Sequence, residues 1–363
     1  MFWRLLLVAA IVAGVAWWGY TALRAEPVEA ISAKWSDAGH SDATSVSFTN
    51  WDENDPPVVP VACAKCHSTP GFHDFLGQDG TEAGVVDHPA PIGSQIFCHA
   101  CHNDAAHALD TVTFPSGVAV TDVGPEAVCL ECHQGRTSTM TVDNATEGLD
   151  DDAVSPDLAF INVHYRVAAA TQQGGVAHIG YEYPDREYVG RFLHKPDVRV
   201  CTDCHDPHST AIDPQICAPC HANVVDRGDL RAIRTSAADY DGDGDTSEGI
   251  DAEIHALREA LLDHIQRYAA EVLDAPVAYA ARFPYWVGDL DGDGAATGDE
   301  VSGGNRFASW SPRLLRAAYN YHFSLQDPGN YTHNAHYTLQ LLHDSIADLA
   351  TALGEPAPDL TRP

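Results

Sequence analysis

Residues 201–221 read Cys201-Thr-Asp-Cys204-His205-Asp-Pro-His208-Ser-Thr-Ala-Ile-Asp-Pro-Gln-Ile-Cys217-Ala-Pro-Cys220-His221, two copies of Cys-x-x-Cys-His whose first cysteines are 16 residues apart. Outward from this stretch the same pentapeptide recurs as Cys63-Ala-Lys-Cys66-His67, Cys98-His-Ala-Cys101-His102 and Cys129-Leu-Glu-Cys132-His133. The chain has ten cysteines in 363 residues, and the five copies use all of them. A disulfide framework gives no reason for His to follow the second Cys every time. Structural zinc would need each Cys pair to find a second pair or two His, and the fixed His would again be unexplained. The spacing is the attachment signature of c-type haem. Each thiol adds to one vinyl group and the adjacent His binds the iron from the proximal side. The reading is five covalent haems, with His67, His102, His133, His205 and His221 as proximal ligands.

The distal ligand decides the chemistry, because Met raises the potential and an open position admits a substrate. The chain has two methionines, and Met1 lies in the N-terminal segment, so Met140 alone can cap a haem. Of 20 His, 15 remain after the five proximal ligands. That surplus predicts mostly bis-His haems, whose closed axial positions suit electron transfer. His208 leads the distal candidates, held near the fourth motif by a short Pro turn to cap a neighbouring haem. His194, seven residues before Cys201, is next. His40 and His164 sit in Cys-free segments, and His333 would tie the C-terminal helices to the haems. His88, His99 and His107 are further candidates. For any one of these, a surface or hydrogen-bonded His is the plain alternative.

Cysteine usage implies an extracytoplasmic compartment. Arg4 precedes an uncharged run from Leu5 to Leu23, with Trp17, Trp18 and Tyr20 near its outer end. A spanning helix needs about 20 residues, so 1–25 reads as a membrane anchor, the alternative being a signal peptide cut after Leu23-Arg24-Ala25. The destination is the periplasm or the cell surface. There are 52 acidic residues against 20 basic ones, a net charge of −32, and the lysines are Lys34, Lys65 and Lys195. That sign excludes nucleic acid as a partner and is complementary to a redox protein with a basic docking patch.

The sequence predicts a mainly α fold with much irregular structure. Residues 26–60, with Pro56, Pro57 and Pro60, read as an extended tether. Residues 61–235 read as a haem-packed domain with short helices at the motifs and little strand. The fourth and fifth motifs should hold close neighbours. Residues 236–363 read as a helical domain. Ile254, Leu257, Leu261, Ile265 and Tyr268 recur on one helical face, Ser311-Pro312 starts a second helix, and a third runs from His336 to Leu353 with Gly354 as its stop.

Two acidic loops mark that last domain. Asp289-Leu-Asp291-Gly-Asp293-Gly-Ala295-Ala-Thr-Gly-Asp-Glu300 matches the twelve-residue calcium loop, with Asp289, Asp291 and Asp293 at 1, 3 and 5, the Ala295 carbonyl at 7 and Glu300 at 12. Asp239-Tyr-Asp241-Gly-Asp243-Gly-Asp245 starts alike, but position 12 is Ile250, so Glu248, Asp251 or Glu253 would have to close the shell. A static calcium staple is the reading for both.

The five motifs, Cys204-His-Asp-Pro-His208 and the Cys-free helical tail together resemble the multihaem c-type cytochromes. The resemblance covers roughly residues 35–345 and implies an electron carrier working among redox partners, alone, as a homo-oligomer or polymer, or as a complex subunit. The pentahaem nitrite reductases, which also have a calcium site and long C-terminal helices, are the other subgroup. Their catalytic haem usually has Lys in place of the proximal His, whereas all five motifs here end in His. Two functions follow: an electron conduit, or a reductase or oxidase of a small nitrogen or sulfur oxyanion with one open haem.

Overall fold

Short helices form at the first three motifs, Val61–His67, Cys98–Cys101 and Ala127–Cys132, while the fourth carries a 3-10 turn, Cys201–Asp203, and the fifth lies in turns. The computed structural model describes residues 26–356 and 359–363. The segment read as a membrane anchor lies outside the described residues, and among those described no helix is long and apolar enough to cross a membrane. The described chain is mainly helical, with short two-stranded antiparallel ladders. It forms two compact units, residues up to 102 with 205–212, and residues 103–204 with 213–363. These divisions do not follow the 61–235 and 236–363 stretches read from the sequence.

In the first unit, 26–60 is not an extended tether. Val28–Ser36 is helical, and Ser45 caps a further turn, Val46–Thr49. Trp35 Nε1 donates to the Ile96 carbonyl at 3.0 Å, and Trp51 is buried. The Pro cluster accounts only for the end of the segment, where Val58–Val59 pairs with Ala90–Pro91. The first motif lies on the helix Val61–His67, packed against the helix Thr69–Phe75. A side chain at Gly71 would come within 2.3 Å of the Ala64 carbonyl oxygen, so the two helices meet only because that residue lacks a Cβ. Ser68 caps the second helix through Gly71 N–H at 3.0 Å, worth about 1 kcal/mol.

The second unit is built on three long helices, Ile250–Glu271, Pro312–Gln326 and Ala335–Ala352. Ile254, Leu257, Leu261, Ile265 and Tyr268 are each at most 1% exposed, as their periodicity predicts. Ser311 Oγ accepts from Leu314 N–H at 3.3 Å, and Gly354 adopts φ 73° after the last helix. One face of these helices buries Trp286 and Trp310. Another carries Tyr319, Phe323, Tyr337 and Leu341 into the cluster that holds Leu130, Val163 and Val167. That shared cluster is why the third motif belongs with the C-terminal helices rather than in a separate haem domain. Asn320 brackets Tyr181 with two main-chain bonds, at 2.8 and 2.9 Å, fixing the loop to the helix.

Candidate haem-binding site

The proximal histidines of the first and third motifs are oriented by main-chain carbonyls. His67 Nδ1 donates to the Ser47 carbonyl at 2.8 Å, and His133 Nδ1 to the Arg166 carbonyl at 2.8 Å. A carbonyl only accepts, so each bond fixes the proton on Nδ1 and leaves Nε2 as the unprotonated nitrogen, the one suited to bind a metal. Burial pushes the His133 pKa down, which favours the neutral form that a metal requires. His205 Nδ1 has a longer contact, 3.4 Å, with the Thr210 carbonyl.

Two of the proximal rings face candidate distal rings. His208 lies against His102 with ring centres 6.1 Å apart and planes 10° apart. His194 faces His221 at 6.1 Å with planes at 55°. Two metal–imidazole bonds of about 2.0 Å, with about 1.1 Å from each nitrogen to its ring centre, put coaxial rings about 6.2 Å apart. The spacing is compatible with an iron between each pair. Burial, and then the neighbouring His221, lower the His194 pKa. The partner of His208 is the proximal His of the second motif, which lies far away in the sequence.

The other candidates are placed as follows. His333 Nδ1 bonds both oxygens of buried Asp327, at 2.9 and 2.8 Å. Burial and then the field of Asp327 act on it in opposite senses, with a net rise in pKa, and His333 lies within electrostatic reach of His133. The His40 carbonyl accepts from Ile96 N–H at 3.1 Å, two residues before the second motif. His164 has φ 85° and packs on Tyr165 with ring centres 4.6 Å apart. His88 sits among Asp74, Asp79 and Asp87, and His99 packs beside His73 at 5.0 Å. Met140 is 47% exposed.

The sequence reading missed Asp327, a buried carboxylate six residues before His333 that bonds its Nδ1.

The acidic loops share one backbone design. Asp289 accepts from Gly292 and Gly294 N–H at 2.8 and 3.0 Å, and Asp239 accepts from Gly242 and Gly244 at 2.7 and 2.8 Å. Asp289, Asp291 and Glu300 bring ligand oxygens within 4.8 Å of one another, as do Asp239, Asp241 and Glu253, and Asp241, Asp243 and Glu248. Asp251 pairs with Arg231 instead. Glu253 is fully buried, accepts from Tyr240 and Asp241 N–H at 2.7 and 2.9 Å, and pairs with Arg234.

Among characterised proteins the chain is similar to two from Geobacter sulfurreducens. It is 27% identical over 371 aligned positions to the C-type polyheme cytochrome OmcC, covering 85% of this chain and 45% of that protein. It is also 27% identical over 366 positions to the C-type polyheme cytochrome OmcB, covering 84% and 46%. The five motifs and these relatives support a multihaem c-type cytochrome. It spans about half the length of the curated relatives it matches. No protein-family model and no solved structure matches it.

Proposed function

We propose that the chain is an exported electron-transfer protein that holds five covalent haems c, mostly bis-His, and passes electrons between redox partner proteins. The single observation that carries the reading is the 6.1 Å separation of both His102–His208 and His194–His221. Bound haem supplies reversible one-electron exchange at iron with little change of ligands. The chain's own residues do the rest. Ten thiols tether the groups, Nδ1–H bonds at His67 and His133 aim the proximal nitrogens, and Asp327 orients His333. His208, His194, His333, His40 and His164 are the distal set, and 61–235 is the haem-bearing region.

Residues 236–363 are read as the calcium-stapled part, the ion held by Asp289, Asp291, Asp293, the Ala295 carbonyl and Glu300. A second ion would be held by Asp239, Asp241 and Asp243 with Glu248 or Glu253. Twin hydrogen-bonding patterns in the two loops support this. The partner is a protein with a basic docking patch, since the chain carries a net charge of −32. The location is the periplasm or cell surface, with Leu5–Leu23 as an anchor or a cleaved signal.

Intact mass and absorption spectra test the reading. The purified protein should exceed its apoprotein mass by five haems and show low-spin bands in both redox states, unchanged by nitrite, hydroxylamine or sulfite. A high-spin haem that binds one of these would make the protein an oxyanion reductase or oxidase instead.

A further inference from the structure

Glu126 and Arg191 meet where the third and fourth motifs touch. Glu126 ends the turn Gly124–Glu126 that leads into the helix Ala127–Cys132, three residues before Cys129. Its side chain is 1% exposed and ion-paired with the Arg191 guanidinium. The other carboxylate oxygen accepts from the Cys201 backbone N–H at 3.2 Å and lies 3.5 Å from Cys201 Sγ. The Cys129 and Cys201 thiols are within hydrogen-bonding reach of each other. Both side chains pack on the apolar cluster that holds Leu130, Val163 and Val167.

Burying a carboxylate costs several kcal/mol before its partners offset it, so its placement needs a reason. Glu126 is not capping the helix it precedes. What it does is hold the first cysteine of one motif beside the first cysteine of another. Cys204 in turn lies within electrostatic reach of Cys217, the first cysteine of the fifth motif.

We propose that Glu126, held by Arg191, is a positioning residue that seats the fourth motif on the third, so that the haems borne by Cys129–Cys132 and Cys201–Cys204 meet edge to edge and exchange electrons directly. The inference rests on the haem reading above. One electron leaves the reduced member of the pair and reduces the oxidised member, and the redox partners supply and remove it. The fourth motif then stands in the middle of a path, with the third on one side and the fifth on the other.

The sign of the local charge gives the test. E126Q leaves Arg191 as an uncompensated positive charge beside two haems, which favours the reduced state. R191Q leaves the carboxylate, which favours the oxidised state. Spectroelectrochemical titration of the full holoprotein should therefore shift two of the five haem components upward in E126Q and the same two downward in R191Q. R191K, which keeps the charge, should restore the unmutated curve. A merely structural clamp predicts other outcomes: E126Q and R191Q moving in the same direction, R191K behaving like R191Q, or all five components drifting together. Any of these overturns the inference, as does an unmoved curve in every variant. Intact mass separates the two levels of argument. Absence of covalent haem from the unmutated protein overturns the haem reading itself, whereas a full haem load without opposed shifts overturns this inference alone.

Discussion

At the scale of single residues, the strongest expectation concerns His208 and His194. H208A and H194A should each convert one haem to high-spin while the other four keep their spectra, read by absorption or resonance Raman. Retention of a fully low-spin spectrum would remove these residues from the ligand set. A second residue governs acid tolerance. Asp344 is buried, and burial alone would raise its pKa. Bonds from His343, Arg362 and Tyr188 win, and hold the carboxyl down at about 2. A depressed carboxyl contributes stability that is complete above its unfolded value of 3.8 and is lost as pH falls through about 2. That interval corresponds to about 2 kcal/mol at neutral pH. D344N should flatten the acid limb of the stability curve and, by stranding Arg362, cost about 3 kcal/mol in denaturant unfolding. An unchanged acid limb would show that the carboxylate is not the group responsible. At this scale the candidates were legible: each candidate proximal His is read from its pentapeptide, and His208 and His194 stood out by their closeness to a motif. Their partners did not, because the pairing of His208 with His102 depends on a chain return that no local spacing encodes. Glu126 and Arg191 were invisible for the same reason.

At the scale of elements, the acidic loops should behave as staples. A bound ion stabilises the fold by mass action, so chelation should lower the melting temperature of the helices that follow each loop, with D289N and E300Q doing the same at the second loop. No thermal shift with chelator, together with no calcium in the purified protein, would reduce both to solvated acidic turns. The long helices were readable because their apolar stripes are strictly periodic. The segment 26–60 was misread because the cluster Pro56, Pro57 and Pro60 at its end was allowed to stand for the whole polar stretch. The signal against an extended chain was present in Val28, Ile31 and Trp35, spaced for one helical face. The closing residue of the first loop was legible only as a choice of three; Asp251 is taken by Arg231, while Glu248 and Glu253 both reach the loop carboxylates.

At the scale of the whole molecule, the net charge of −32 sets the expectation for encounter with the proposed partner. Association with a cationic redox partner should slow about tenfold or more between low and physiological ionic strength, measured by stopped-flow reduction. A rate indifferent to salt would mean that the acidic composition serves solubility instead. The proposed ligand pairs have a further consequence, rooted in the ring planes 10° apart at one histidine pair and 55° apart at the other. Near-parallel imidazoles donate into the same iron d orbital and split it from its partner, whereas turned imidazoles spread their donation and leave the two orbitals closer in energy. The oxidised protein should therefore show a rhombic electron paramagnetic resonance signal from the second haem and a signal with a larger maximum g value from the fifth. With haem bound as proposed, each of these irons would carry a magnetic label set by the geometry of its own ligands. During stepwise reduction, the signal that fades first tells which of the two the incoming electrons fill first.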